Sequence, residues 1–288
     1  MMHADLPDFK PADGELLYLI LDGNSIDDIG VNLYALENGV NAVSLYANTA
    51  LTNLNEISPW VLEFQPDKQP KIFEWVIENQ YFDKGFAWLL SSQATLYDIA
   101  QHFRQLAVVN SPYMGELIFR LPDARIAYPL LKEHIASGQT RLVGPIRTMY
   151  FRQEQQWASL TAPKQSDNTS LYTLTDSDVT ILENIATKAF ATKLEAHINT
   201  YFPNSFENTL QPKAETLIVK AKELGFTTER AVYYYANVIG HLGADFQQNP
   251  QHKTITQLVN NPSTQTPEQR IEKAAALAKA FTLGVNHV

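Results

Sequence analysis

Along the first half of the chain, short apolar runs alternate with stretches whose apolar residues recur at helical spacing. Leu16–Leu21 is fully apolar and ends at Asp22-Gly23, the pattern of a buried strand running into a turn. Asn32–Asn38 predicts a short helix stopped by Gly39, and Ala42–Tyr46 and Trp60–Phe64 predict the next two strands. Pro70 stands where a first helical position would, and Ile72, Phe73, Val76 and Ile77 keep helical spacing through Tyr81. Phe86–Leu90 predicts a fourth strand, and Leu96, Ile99, Ala100, Phe103, Leu106 and Ala107 form one apolar helix stripe. Glu116–Arg120 predicts a fifth strand, Asp123 the cap of a helix reaching about Ile135, and Ile146–Phe151 with Trp157–Leu160 a late hairpin. The alternation predicts an α/β (α+β) N-terminal domain over residues 1–160, with a largely parallel or mixed sheet.

The second half reads differently. Residues 161–174, rich in Ser, Thr, Asn, Pro and Lys, predict a linker, and residues 175–288 an all-α helical lobe. Thr175 with Asp178 resembles a capping box. Behind it Leu182, Ile185, Ala186, Ala189, Phe190, Leu194, His197, Ile198 and Tyr201 keep helical period. Further helices are predicted from Pro212 to Leu224, closed by Gly225; from Thr228 to Leu242; and from Thr266-Pro267-Glu268 to Gly284. In the helix opened by Thr228, Val232, Tyr235, Val238, Ile239 and Leu242 share an inward face at about 100° per residue. Tyr233 then points away, near Asn237 and Gly240, with Tyr234 and His241 at the flank. Two tyrosines beside a small residue suggest an interface centre; the plainer reading is a central helix that buries both sides.

With 288 residues the chain has room for one large domain or two ordinary ones. It has no cysteine, which excludes disulfides, thiolate metal sites and a cysteine nucleophile. The net charge of −9 and the lack of a Lys/Arg run argue against nucleic acid or an anionic membrane as a partner. Met1–Asp8 has neither a basic nor an apolar signal region, and no apolar run approaches the roughly 18 residues of a membrane span. The expected location is the cytoplasm.

Candidate chemistry is sparse. Asp22, at a strand end, invites comparison with aspartyl-phosphate phosphatases, but Ile20 occupies the place of the attacking carboxylate. The plainer role for Asp22 and Gly23 is a structural turn. Phosphate-loop, dinucleotide and nucleophile-elbow motifs are missing, and so is His-Glu-x-x-His. The seven histidines (3, 102, 134, 197, 241, 252 and 287) include no i, i+4 pair to hold a metal. Asn168-Thr169-Ser170 matches a glycosylation sequon that a cytoplasmic protein would not use. Hence no catalytic residue, metal or cofactor is expected. One cluster stands out: Phe119-Arg120-Leu121-Pro122-Asp123-Ala124-Arg125 places two arginines and an aspartate at a strand-to-helix junction. It reads as a helix cap with an ion pair, with Arg120 and Arg125 as candidate contacts to a partner.

In these motifs the chain resembles the adaptor-chaperone family of bacterial type VI secretion systems, a domain of unknown function encoded beside effectors and VgrG spike proteins. The resemblance runs from about Leu16 to Trp157. It is carried by Leu17–Gly23, Ser58–Phe64, Gly85–Leu90 with Ser91-Ser92, the helix holding His102 and Arg104, Phe119-Arg120 with Asp123 and Arg125, and Gly144-Pro145. Leu121-Pro122 departs from the aromatic-rich pair of the family. The resemblance implies a non-enzymatic cytoplasmic adaptor that binds one toxic effector and helps load it onto a VgrG-type spike. A sheet edge or a helical groove could serve for binding. The alternative is a small-molecule hydrolase or transferase using loops at the strand ends, since function belongs to sites rather than folds.

Overall fold

The computed structural model describes residue 9 and residues 11–163, 171–203 and 214–284. The chain divides into two compact units, one up to Leu182 and one from Glu183 onward. The first holds a six-stranded sheet. Its strands are β1 (Leu16–Leu21), β2 (Ala42–Ser44), β3 (Trp60–Glu63), β4 (Ala87–Ser92) and the hairpin of β7 (Thr148–Gln153) with β8 (Gln156–Thr161), in the order β2-β3-β1-β4-β7-β8. A separate two-stranded ribbon pairs β5 (Val108–Ser111) with β6 (Gly115–Ile118). The helices between are α1 (Ile29–Leu36), α2 (Pro70–Glu78), α3 (Leu96–Gln105) and α4 (Ala124–Ala136).

Every strand pairing in the six-stranded sheet is antiparallel. The expected sheet with helices on an α/β (α+β) plan is present, but of the two expected pairings, largely parallel or mixed, the largely parallel one is not found, and the reason is local. Strands β3 and β4 do run parallel to each other across α2, but β1 lies between them, antiparallel to both. A helix between two strands implies a parallel crossover without saying what is inserted between them. Alternation along β1 assigns the faces: Tyr18 and Ile20 pack with Trp88, Leu90 and residues of α3 and α4, while Leu17, Leu19 and Leu21 pack with Ala87, Leu89 and residues of α1 and α2. Strands β1 and β4 are thus covered on both faces, which is why they read as unbroken apolar runs.

The expected linker over 161–174 is in part core. Thr161 ends β8, and Tyr172 and Leu174 are buried in the first unit. Asn110 bridges Thr173 in parallel. Residues 164–170, and the sequon within them, lie outside the described residues, as do His3, Pro212 and His287. The division of units falls later, within α5 (Asp176–Tyr201), whose Val179, Ile181 and Leu182 pack on the first core.

The second unit is helical, as expected: the rest of α5, α6 (Ala214–Glu223), α7 (Glu229–Leu242), α8 (Lys253–Asn260) and α9 (Pro267–Thr282). Its caps follow the sequence. Thr228 Oγ1 accepts from Ala231 N, Thr266 and Gln269 form a capping box, and Gly225 takes φ +85° after α6. Helix α8, which the periodicity does not announce, ends against α9: the buried Arg270 donates to the carbonyls of Leu258 and Asn261 at 2.9 and 2.8 Å. That guanidinium supplies the cationic cap favoured at a helix C-terminus.

Candidate functional site

The run of charge at residues 120–125 folds onto the end of β1. Asp22 follows the last residue of that strand, and its N–H donates to Phe86 O at 2.9 Å. Ser25 Oγ and Arg120 Nη2 both donate to Asp22 Oδ2, at 2.7 and 2.6 Å. Gly23 is buried under the Ser58 carbonyl, where any Cβ would collide. Asp22 and Gly23 therefore form a tertiary joint as well as a turn.

Asp123 caps α4 by accepting from Arg125 N at 3.0 Å. Its two carboxylate oxygens also accept from Arg125 Nε at 2.8 Å and Nη2 at 2.7 Å, a bidentate pair. Arg120 Nη2 lies 3.3 Å from the same carboxylate. Two nearly buried aspartates are thus shared between two arginines, and Ser25 closes the ring by accepting from Arg125 Nη2 at 3.3 Å. The Asp123 side chain is 3% exposed and that of Arg125 47%. Its bonds to Asp123 raise the Arg125 pKa above the ordinary guanidinium value. Beneath it, Gly85 has φ +72°, and a Cβ there would stand 2.6 Å from Arg125 Cγ. Trp88 Nε1 donates to Pro122 O at 2.8 Å, which anchors the turn containing Leu121-Pro122.

Chemically this is a paired circuit, in which Arg120 Nε alone is buried without a partner among the described residues. Each aspartate is engaged by cationic donors, and the members that reach solvent are the two guanidinium groups, which neither attack nor accept protons, and the Ser25 hydroxyl. It can lock the start of α4 to the end of β1, across 98 residues, and it can present rigidly held arginine edges to another surface.

A second cluster joins residues far apart in the sequence, of which Thr175-x-x-Asp178 is the one part with a local signature. His134 on α4 donates from Nε2 to Asp178 Oδ1 at 2.7 Å, and Tyr172 OH donates to Asp178 Oδ2 at 2.6 Å. Burial raises the Asp178 pKa, but hydrogen bonds from His134, Tyr172 and Thr175 N–H outweigh it and bring it down to about 2. Burial, with Asp178 beside it, pushes the Tyr172 hydroxyl far up. The composition resembles an acid–base relay, but His134 and Asp178 are almost wholly buried, so no substrate atom reaches them in this conformation. The cluster pins the first turn of α5 to the first unit. The expected capping box of Thr175 with Asp178 is present within it.

In the helical lobe the candidate interface residues are half-buried against the lobe itself. The inward face of α7 is as expected, with Val232, Tyr235, Val238 and Ile239 buried. The opposite face packs on α5 and the residue after it. Tyr233 meets Phe190 and His197 edge-on, with ring centroids 5.3 and 4.9 Å apart. His197 Nε2 donates to Asn237 Oδ1 at 2.8 Å, and a Cβ on Gly240 would strike the Phe202 ring. His241 also meets Phe202 edge-on; burial, with Lys279 nearby, lowers its pKa. Tyr234 sits apart, donating from its OH to Glu272 at 2.8 Å and accepting from Arg230 at 3.0 Å. The face expected to point outward is thus corrected to a second packing face. An isolated helix wheel cannot show a neighbour on its far side. Arg120 and Arg125 belong to one network; Tyr233, Tyr234 and His241 lie in the other unit and, among the described residues, share no such network with one another.

Among the described residues, no group of three or more histidines and carboxylates could hold a metal, and no helix is long and apolar enough to cross a membrane. Residues 17–141, which hold the whole arginine–aspartate circuit, match a family described as Domain of unknown function (DUF4123). Over 279 residues, 95% of this chain and 91% of the other, the chain is 27% identical to a protein named accessory protein VasW from Vibrio cholerae serotype O1 (strain ATCC 39315 / El Tor Inaba N16961). No solved structure matches the chain.

Proposed function

We propose that this chain is a non-enzymatic adaptor of a type VI secretion system, binding one toxic effector in the cytoplasm of the producing cell and helping to load it onto a VgrG-type spike. The observation that carries the reading is the similarity to accessory protein VasW, which extends over 279 residues and so takes in both compact units. The resemblance of Leu16–Trp157 to the type VI adaptor family supports it independently of the helical lobe. The chemistry of the strand-end circuit agrees with it, because Asp22 and Asp123 are committed to Arg120 and Arg125. Such pairing suits a rigid recognition scaffold better than a nucleophile or a general base.

The test is affinity purification of the tagged full chain from its native host, with identification of what accompanies it, paired with deletion of its gene. The expected outcome is one effector and a spike protein in the purified material, with that effector lost from the medium on deletion and restored on complementation. Unchanged secretion in the deletion strain would overturn the reading. So would turnover of a small molecule that disappears on replacing a single side chain.

A further inference from the structure

We propose that the outer edge of β6 receives an extended segment of the effector as an added strand. The β5–β6 ribbon stands outside the six-stranded sheet, with Val108 opposite Ile118 and Asn110 opposite Glu116. The bond from Phe119 N to Ala107 O at 2.9 Å sets the phase of the ladder. Residues 109 with 117 and 111 with 115 exchange main-chain bonds, while 108, 110, 116 and 118 turn their N–H and C=O outward.

On the β5 side these outward groups are used. Asn110 N donates to Tyr172 O, and Asn110 O accepts from Leu174 N, both at 2.8 Å. The chain's own residues 172–174 are therefore held there by main-chain bonds, the way an added strand is held. On the β6 side the outward groups of Glu116 and Ile118 have no main-chain partner among the described residues. A helix cannot satisfy such a row, because its own N–H and C=O groups are already engaged; an extended chain can.

The side chains favour the same occupant. Val109 and Leu117 face the core. On the opposite face Ile118 and Leu171 are exposed and Val108 half-buried between them, an apolar row that runs to the open edge. Tyr113 and Met114, at the turn of the ribbon, are 70% and 77% exposed. Strand edges open to solvent are commonly guarded by shortness, charge, proline or a bulge; Gly115–Ile118 is short but has no lysine or proline, and its one charge, Glu116, suits a cationic partner strand. The fitting segment is extended, with an apolar residue beside Ile118 and a lysine, arginine or threonine two positions away beside Glu116.

The natural occupant rests on the adaptor reading; the edge itself does not, and the two are tested separately. In the first arm the full chain is mixed with a capped peptide of about eight residues, roughly the length of a strand, with Val and Lys taking turns along one face and Thr at the positions between. Amide exchange at Glu116 and Ile118 is followed as peptide is added. It should slow at least about tenfold at saturation, and Ile118→Pro, which removes an outward N–H, should abolish the peptide binding. Glu116→Lys, on the exposed face, should weaken it without loss of folding and guards against a misfolded proline variant. Three results would overturn the proposal: no protection of these amides by the peptide, slow exchange in the free chain at high dilution (an edge covered by the chain itself), or protection that rises with chain concentration alone (a second copy). In the second arm the effector that accompanies the full chain replaces the peptide. Capture with protection elsewhere, or capture undiminished by both variants, would overturn the edge proposal and leave the adaptor reading standing.

Discussion

Asp123 does more than a cap residue ordinarily does. A lost N-cap costs about 0.5–2 kcal/mol. Here the same carboxylate also holds Arg125 bidentately and stands 3.3 Å from Arg120. Removing one partner of a buried ion pair is more damaging than removing a surface bridge, but both arginines reach solvent, which reduces the penalty. Asp123→Ala is therefore expected to cost about 2–3 kcal/mol, above the cap alone. Urea unfolding of the full chain reads it. A loss below about 1 kcal/mol would mean that the arginines find other acceptors at no cost. The same measurement on a variant lacking only the bidentate partner, Arg125→Lys, separates the fork from the cap.

Among the elements, α7 is the one whose role changed most on folding. Its two faces are both used, one by the lobe core and one by Phe190, His197 and Phe202. Tyr233 is only half-buried, so its replacement should cost less than the 3–5 kcal/mol of a fully buried aromatic. For Tyr233→Ala we expect about 2 kcal/mol, seen as a lower melting temperature with partner binding otherwise intact. Weaker effector or spike binding at unchanged melting temperature would restore the interface role. Capping was the more legible property of these helices, because Thr228, Thr266 with Gln269, and Thr175 with Asp178 act over three residues.

Taken whole, the molecule carries two acid-sensitive joints. His102 on α3 is buried and neutral, donating from Nε2 to Leu142 O at 3.0 Å, and burial lowers its pKa from 6.5 to about 4. A base with a depressed native pKa takes up its proton on unfolding. Stability is therefore complete above pH 6.5 and declines as pH falls toward about 4, by roughly 3 kcal/mol across that window. Asp178 has the opposite chemistry and the same direction: its carboxylate contributes stability above pH 3.8, lost as pH falls toward about 2. Unfolding midpoints measured from pH 7 to about pH 2 should thus fall in two stages. His102→Gln should flatten the upper stage alone; an unchanged slope between pH 6.5 and 4 would exclude His102 as its source.

What the sequence determined by itself was whatever depends on neighbours a few residues away. Leu17–Leu21 is buried as its apolar run predicts, Thr228 and Thr266 open helices because their hydroxyls reach backbone N–H groups three residues on, and Asp123 caps α4 because its carboxylate reaches the N–H two residues on. What only the tertiary structure decided involves partners far along the chain: Asp22 with Arg120, His134 with Asp178, Tyr233 with Phe190, and β1 placed between β3 and β4. The two hydrophobic periods, about 3.6 in a helix and 2 in a strand, tell a residue which side is inward but not which element will cover it. A charged residue likewise names the type of its partner without its address. Phe119–Arg125 could therefore be singled out as a cluster, while its closure onto the end of β1 came from folding alone.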